Sequence, residues 1–191
     1  MIRLKNDKTV GGMRYGKGTM IDFTPPIESE LISTGDAEVY PLVSRPVETL
    51  TGTAVATSCA LTGVDEVLAS FNIPAGLLGV NSVLQIEPVW TFTSSANNKT
   101  LRIKIGTTTV YSAVRTTSVK EAPLFVLANR NSLARQIKPY DGVYVTAGSV
   151  APETYAINFS VPVTVEITGQ RANSGDSLTL EYYRVVHFVG D

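Results

Sequence analysis

Apolar and polar positions alternate along most of this chain with a period of two. In VLQIEPVWTFTSSANNKTLRIKI, from Val83 to Ile105, one parity holds Leu84, Ile86, Trp90 and Phe92, and the other holds Gln85, Glu87, Thr91 and Thr93. After the polar turn Ser94–Lys99, Leu101, Ile103 and Ile105 alternate with Arg102 and Lys104. Period two marks strands with one buried and one wet face. Two such runs joined by a short Ser/Asn-rich loop predict a β-hairpin at the centre of a β-sandwich. The single Trp is its expected anchor between sheets.

The alternation recurs on both sides. Glu66–Ile73 sets Val67, Ala69, Phe71 and Ile73 on one parity, and Thr107–Ala113 reads as a strand after a turn at Gly106. Pro123–Asn129 is almost continuously apolar, as for a strand covered on both faces. Tyr155, Ile157 and Phe159 alternate, as do Val161, Val163, Val165 and Ile167, with Pro162 confining that start to an edge or bulge. Leu178–Val189 forms a long closing strand. Eight or nine strands at regular spacing, without an amphipathic helix, predict an all-β, jelly-roll-like antiparallel β-sandwich over residues 49–191.

Residues 1–48 read differently. Gly11, Gly12, Gly16 and Gly18 fall close together, followed by Pro25-Pro26, Pro41 and Pro46. Glycine loosens the backbone and proline refuses ladder hydrogen bonds. An extended N-terminal arm is expected here, with at most one short helix near Ile27–Ile32, Pro26 near its start and Gly35 at C′. Such an arm cannot bury its apolar side chains alone.

Composition narrows the function classes. Of 191 residues, 43% are apolar and only 17% charged, below the roughly 25% usual in soluble domains. Thr, Ser and Asn fill the gap, which suits a surface covered by protein partners. A net charge of −1 neutralises no phosphate backbone, so nucleic acid is not an expected partner. Cys59 is the one cysteine, so no internal disulfide forms, and the composition fits assembly in a reducing cytosol. No apolar run approaches the ~20 residues of a membrane helix. The start, MIRLKNDK, is followed by no apolar core, so neither a signal peptide nor a membrane partner is expected.

Motifs for chemistry fall short. Gly11–Thr19 matches G-x-x-x-x-G-K, but Gly18 stands where Ser or Thr would hold Mg²⁺, and no strand–helix frame surrounds it. The only histidine, His187, sits in an apolar strand and would need a nucleophile such as Cys59 and an acid. One His and one Cys exclude a His/Cys zinc site within one chain. Glu87, Glu166 and Glu181 lie on polar parities and read as solvated or interfacial acids rather than a glycosidase pair. Asp65, Asp141 and Asp176 lack the ligand density of a calcium loop. Tyr140, Tyr144 and Tyr155 around the long Pro139–Glu153 loop offer either glycan-stacking faces or interface anchors, the latter preferred. No catalytic residue, metal, cofactor or small-molecule ligand is therefore expected.

Two segments carry a resemblance. Phe71–Ile86, with its P-x-G-x-x-x-x-N-S turn, and Trp90–Leu101, with its S-x-N-x-K tip, resemble a segment of β-sandwich structural proteins in tailed-bacteriophage virions. Asn129-Arg130-Asn131-Ser132, followed by Arg135-Gln136, is similar to a turn of the same proteins. The resemblance spans about Val67–Ile137, and its motifs are turn chemistry. It implies a jelly-roll-like domain, trimeric and without cofactor, in a virion assembled in the host bacterial cytoplasm. Its partners would be the major capsid protein or other virion proteins. Two roles follow: a head decoration protein clamping capsid subunits at local three-fold sites, or a tail or head-fibre appendage binding a host receptor or glycan. The first is preferred because no fibrous shaft is present. The expected contact residues are those of the arm: Ile2, Leu4, Met13, Tyr15, Met20, Phe23, Leu31 and Ile32.

Overall fold

The computed structural model describes residues 2–10, 13–17, 20–21, 25–39, 47–139 and 151–190. It divides into two compact units, Met1–Arg45 and Pro46–Asp191.

The first unit replaces the expected extended arm. It contains β1 (Ile2–Leu4), β2 (Lys8–Val10), β3 (Met13–Tyr15), β4 (Met20–Ile21), α1 (Pro25–Ser33) and β5 (Ala37–Val39). β1 lies between β4 and β5, antiparallel to both, and β2 pairs with β3. Pro25 and Pro26 open the helix, where missing N–H groups break no helical bond. The helix ends in a Schellman motif: Gly35 has φ 73°, its N–H donates to Ile32 O, and Asp36 N–H donates to Leu31 O. Leu4, Leu31 and Ala37 form a small core, with Val10, Tyr15 and Ile27 packed against it. Strands of two or three residues are too short for periodicity to reveal. The pairing of Ile2 with Val39 is also non-local.

The second unit contains β6 (Val47–Thr53), β7 (Thr57–Ser58), β8 (Glu66–Ile73), β9 (Val83–Phe92), β10 (Lys99–Ile105), β11 (Thr108–Arg115), β12 (Lys120–Glu121), β13 (Phe125–Asn129), β14 (Gln136–Ile137), β15 (Thr154–Tyr155), β16 (Val163–Arg171) and β17 (Leu178–Phe188). Val47 already pairs with Phe188, so the boundary falls at 45/46 rather than 48/49.

One sheet runs β6–β17–β9–β13 and continues through β14 and β15; the other runs β8–β16–β10–β11. Every pairing between these strands is antiparallel, and the isolated bridge between Thr62 and Arg171 is parallel. Among the eight principal strands, only β10 and β11 are joined within a sheet. Every other connection crosses between sheets, which is the connectivity of a jelly roll. The inner faces supply one core, in which Trp90 of β9 stacks on Tyr111 of β11 and Phe71 of β8 on Tyr183 of β17.

Two strand-level expectations are corrected. β9 and β10 do not form a hairpin: they lie in opposite sheets, and residues 93–98 carry the chain across. The hairpin is β10–β11, turning at Gly106, whose φ is 58°. Alternation locates strands and their buried faces but does not name the partner strand. In β8, Val67 is exposed and Leu68 buried, because a register shift against Ile167/Thr168 inverts the parity there. Tyr155, Ile157 and Phe159 follow a related pattern: Ile157 and Phe159 are buried, yet only Thr154–Tyr155 joins a ladder.

Candidate functional site

Strand direction gathers the loops at two ends of the sandwich. One end holds the β6–β8, β9–β10, β11–β13 and β16–β17 connections. The other holds the β8–β9 loop, the β10–β11 turn and the long β13–β16 connection.

At the first end, polar bonds replace a loop core. Lys99 is fully buried, and its Nζ donates to Ser95 Oγ at 2.9 Å and to Thr116 O at 2.8 Å. Ser95 Oγ donates to Asp176 Oδ2 at 3.0 Å, and this carboxylate lies 4.0 Å from Nζ. Arg171 donates to Ala60 O, Leu61 O and Asp176 O. Glu66 accepts the N–H groups of Ala60 and Leu61. Around this frame Val55 (76% exposed), Leu61, Val64 and Val119 present aliphatic side chains to solvent.

At the second end, two of the stretches of sequence resemblance meet, the turn before β9 and the Asn129–Gln136 turn, while the Ser94–Lys99 tip lies at the first end. Asn129 Nδ2 donates to Gly79 O at 2.7 Å and Leu78 O at 3.3 Å, and Asn129 N–H donates to Ser82 O at 2.9 Å. Buried Gln136 donates to Asn129 Oδ1 at 3.1 Å and Ile157 O at 3.0 Å, and accepts Ile157 N–H at 2.9 Å. Asn131 N–H donates to Asn81 Oδ1, and Ser132 N–H donates to Val80 O. The Asn-Ser pair of the first motif and the Asn-Arg-Asn-Ser and Arg-Gln of the second are thus one polar lock between β9, β13, β14 and their loops. Such groups need partners because burying them unpaired costs about 1–3 kcal/mol each.

His187 and Ser82 belong to this end too. His187 Nε2 lies 3.1 Å from Ser82 Oγ, both residues are buried, and Nδ1 has no partner. A nucleophile needs access, which this pair lacks. Cys59 bonds beside Leu178, nine residues from His187 along β17, about 30 Å at strand rise. Burial, with Glu66 nearby, pushes its thiol up to about 11, so it is inert at neutral pH.

Burial holds the His187 pKa below its ordinary 6.5, partly opposed by Glu48 on the neighbouring β6. The unfolded chain therefore binds a proton that the folded chain refuses, and stability is lost as pH falls below about 6.5. We expect the urea midpoint to fall between pH 7 and pH 5, with H187Q showing a shallower slope. Equal slopes would remove His187 from the acid response.

The strand acids take separate structural roles. Glu87 pairs with Arg184 at 2.9 Å, Glu181 accepts from Thr91, and Glu166 lies opposite Lys104 on the adjacent strand β10 of its own sheet. Asp65 is held by Arg102 at 2.8 Å, by Lys104 and by Thr168. Burial alone would raise its pKa, but these partners outweigh that and hold it below 3.8. Among the described residues no three His, Cys, Asp or Glu side chains gather as a metal site. Of the G-x-x-x-x-G-K stretch, Met13–Tyr15 is β3, paired with β2, and Asp7 accepts from Arg14 and from Lys17 N–H.

The expected arm residues separate in space. Leu4 and Leu31 are spent on the small core and Tyr15 packs against it, whereas Met13 (65% exposed) and Ile32 face solvent. Ile2 and Met20 contribute backbone to β1 and β4. Phe23, Tyr140, Tyr144 and Asp141 lie outside the described residues. Tyr155 donates to Val110 O at 3.2 Å and to Glu153, anchoring the base of the long loop. Sequence reasoning missed the aliphatic loop residues at the first end, whose only signal was Val and Leu inside turn-rich stretches.

No known protein family matches this chain, and no curated protein matches it. Solved structures do. The chain is similar to the CBM2 module of the evolved Dit of Lactobacillus casei BL23 phage J-1, at 12% identity over 76% of this chain and 98% of that one, with a TM-score of 0.37. It is also similar to infectious bursal disease virus VP2 in a subviral particle, at 18% identity over 75% of this chain and 32% of that one, with a TM-score of 0.29. The Gt strain of that virus gives 17% identity, 75% and 33% coverage, and a TM-score of 0.27. This chain spans about a third of those two viral chains.

Proposed function

We propose that this chain is a structural virion protein of a tailed phage, a decoration protein that binds the outer head surface and stabilises the shell through protein contacts. The observation that supports it is the meeting of two of the resemblance stretches: Asn81-Ser82 and Asn129–Gln136 build one polar lock around buried Ser82, Asn129 and Gln136. Motifs that cooperate in space are better evidence of kinship than motifs scattered along a chain.

In this reading the protein works by area. A jelly roll locked at both ends keeps its loops rigid, so little ordering entropy is lost on docking. The exposed aliphatic residues Val55, Leu61, Val64 and Val119 at one loop end, with Met13 and Ile32 of the small unit, are the contact candidates. Partners are the major capsid protein and two further copies of this chain. Each contact is modest, but repetition around the shell raises the barrier to rupture.

The test is to mix the purified protein with undecorated heads of the phage that encodes it and locate added density by cryo-electron microscopy. Density on the head supports the reading; density only on a tail or fibre replaces it with an appendage role. Cutting at 45/46 respects the small unit, whereas cutting within it would strip β1 from β5. Residues 46–191 are expected to retain the β-sheet circular dichroism and cooperative melting of the full chain while adding to heads at least tenfold more weakly. Equal binding would remove the small unit from the contact.

A further inference from the structure

The β13–β14 turn carries Arg130 and Arg135, whose side chains the polar lock does not use. Both are exposed, and both line a cleft of about 450 Å³ with Gln136, Thr154 and Tyr155. No carboxylate among the described residues lines it. Five other arginines among the described residues have acceptors: Arg14 on Asp7, Arg102 on Asp65, Arg115 on Glu121, Arg171 on carbonyls and Arg184 on Glu87. Arg130 and Arg135 have none.

The loop that presents them is rigid. Arg130 N–H donates to Arg135 O at 2.9 Å, Asn131 N–H to Asn81 Oδ1 at 3.1 Å, Ser132 N–H to Val80 O at 3.1 Å, and Ala134 N–H to Ser132 Oγ at 3.1 Å. Asn131 adopts φ 49°, a left-handed conformation that these bonds hold in place. The floor, Gln136, has its amide committed to Asn129 and Ile157, and the Tyr155 hydroxyl is held by Val110 O and Glu153, so the cleft offers a ligand two guanidinium forks and the rim hydroxyl of Thr154. Guanidinium forks bind carboxylates bidentately.

We propose that this cleft is a docking site for an acidic peptide segment of a partner protein, two of whose Asp or Glu carboxylates pair with Arg130 and Arg135. It rests on the virion reading for the partner's identity: the acidic segment belongs to a shell subunit, gripped at the end of the sandwich opposite the aliphatic loops. A clamp needs contacts at both ends.

The experiment uses the full chain and two probes. Fluorescently labelled hexaglutamate and a poly(glycerol phosphate) chain are titrated against wild type, the R130A/R135A double variant, and a K120A control that removes charge elsewhere. We expect wild type and K120A to bind hexaglutamate alike, the double variant to bind it at least tenfold more weakly, and wild type to lose affinity as salt rises. Binding of poly(glycerol phosphate) without hexaglutamate would overturn the proposal in favour of an anionic surface polymer. Equal hexaglutamate binding by the double variant, or none by wild type, would also overturn it. Head binding is measured in parallel. If wild type binds hexaglutamate through the two arginines but never adds to heads, the virion reading fails while the site stands.

Discussion

Trp90→Ala is expected to lower the unfolding free energy by about 3–5 kcal/mol, whereas Trp90→Phe costs under about 2 kcal/mol. Trp90 is fully buried between the sheets, its ring centroid 6.3 Å from that of Tyr111. Removing the indole opens a cavity and takes away the Trp90–Tyr111 stack, which joins β9 of one sheet to β11 of the other. It also frees Tyr111, whose hydroxyl donates to Glu121 at 2.6 Å, and Glu121 in turn holds Arg115. The indole Nε1 has no partner, so phenylalanine forfeits no hydrogen bond and relieves one buried unpaired donor. Urea denaturation followed by far-ultraviolet circular dichroism reads both variants without the lost fluorophore. Equal costs for alanine and phenylalanine would mean that the ring's volume is not what joins the sheets.

Lys99→Met is expected to cost about 3–5 kcal/mol, despite methionine's similar length and greater hydrophobicity. The ammonium is the shared donor of the first loop end, serving Ser95 and Thr116, with buried Asp176 at 4.0 Å. Without it, a carboxylate only 5% exposed keeps a single side-chain donor, Ser95. Asp176→Asn tests the charge itself. In a double-mutant cycle, K99M/D176N is expected to lose less than the sum of the single losses, because neither charge is then stranded. Additive losses would show that Lys99 serves the carbonyl and hydroxyl alone.

Much of the sandwich was legible in the residues. The buried parity of β9 and β10, the turn at Gly106, the doubly covered Phe125–Leu127 and the long closing strand all follow from alternation of apolar side chains. The helix near Ile27 and its Gly35 stop were readable as well, because caps are local chemistry. Legibility ended where pairing is non-local. The small unit was read as an arm because its three-residue strands have no measurable period and its sheet joins Ile2 to Val39. Lys99 was read with the polar turn because nothing in NNKT distinguishes a solvated lysine from one buried under three loops.

The sequence by itself determined the class: an all-β chain, charge-poor, with inner and outer faces assigned almost residue by residue. That follows because strand periodicity and burial are properties of neighbours along the chain. Only the tertiary structure decided that β9 and β10 face each other across the core, that Asn81-Ser82 and Asn129–Gln136 close on one lock, and that Arg130 and Arg135 line one unpaired cleft. Those are relations between residues about 50 positions apart or across sheets. A period of two is identical for every partner a strand can take.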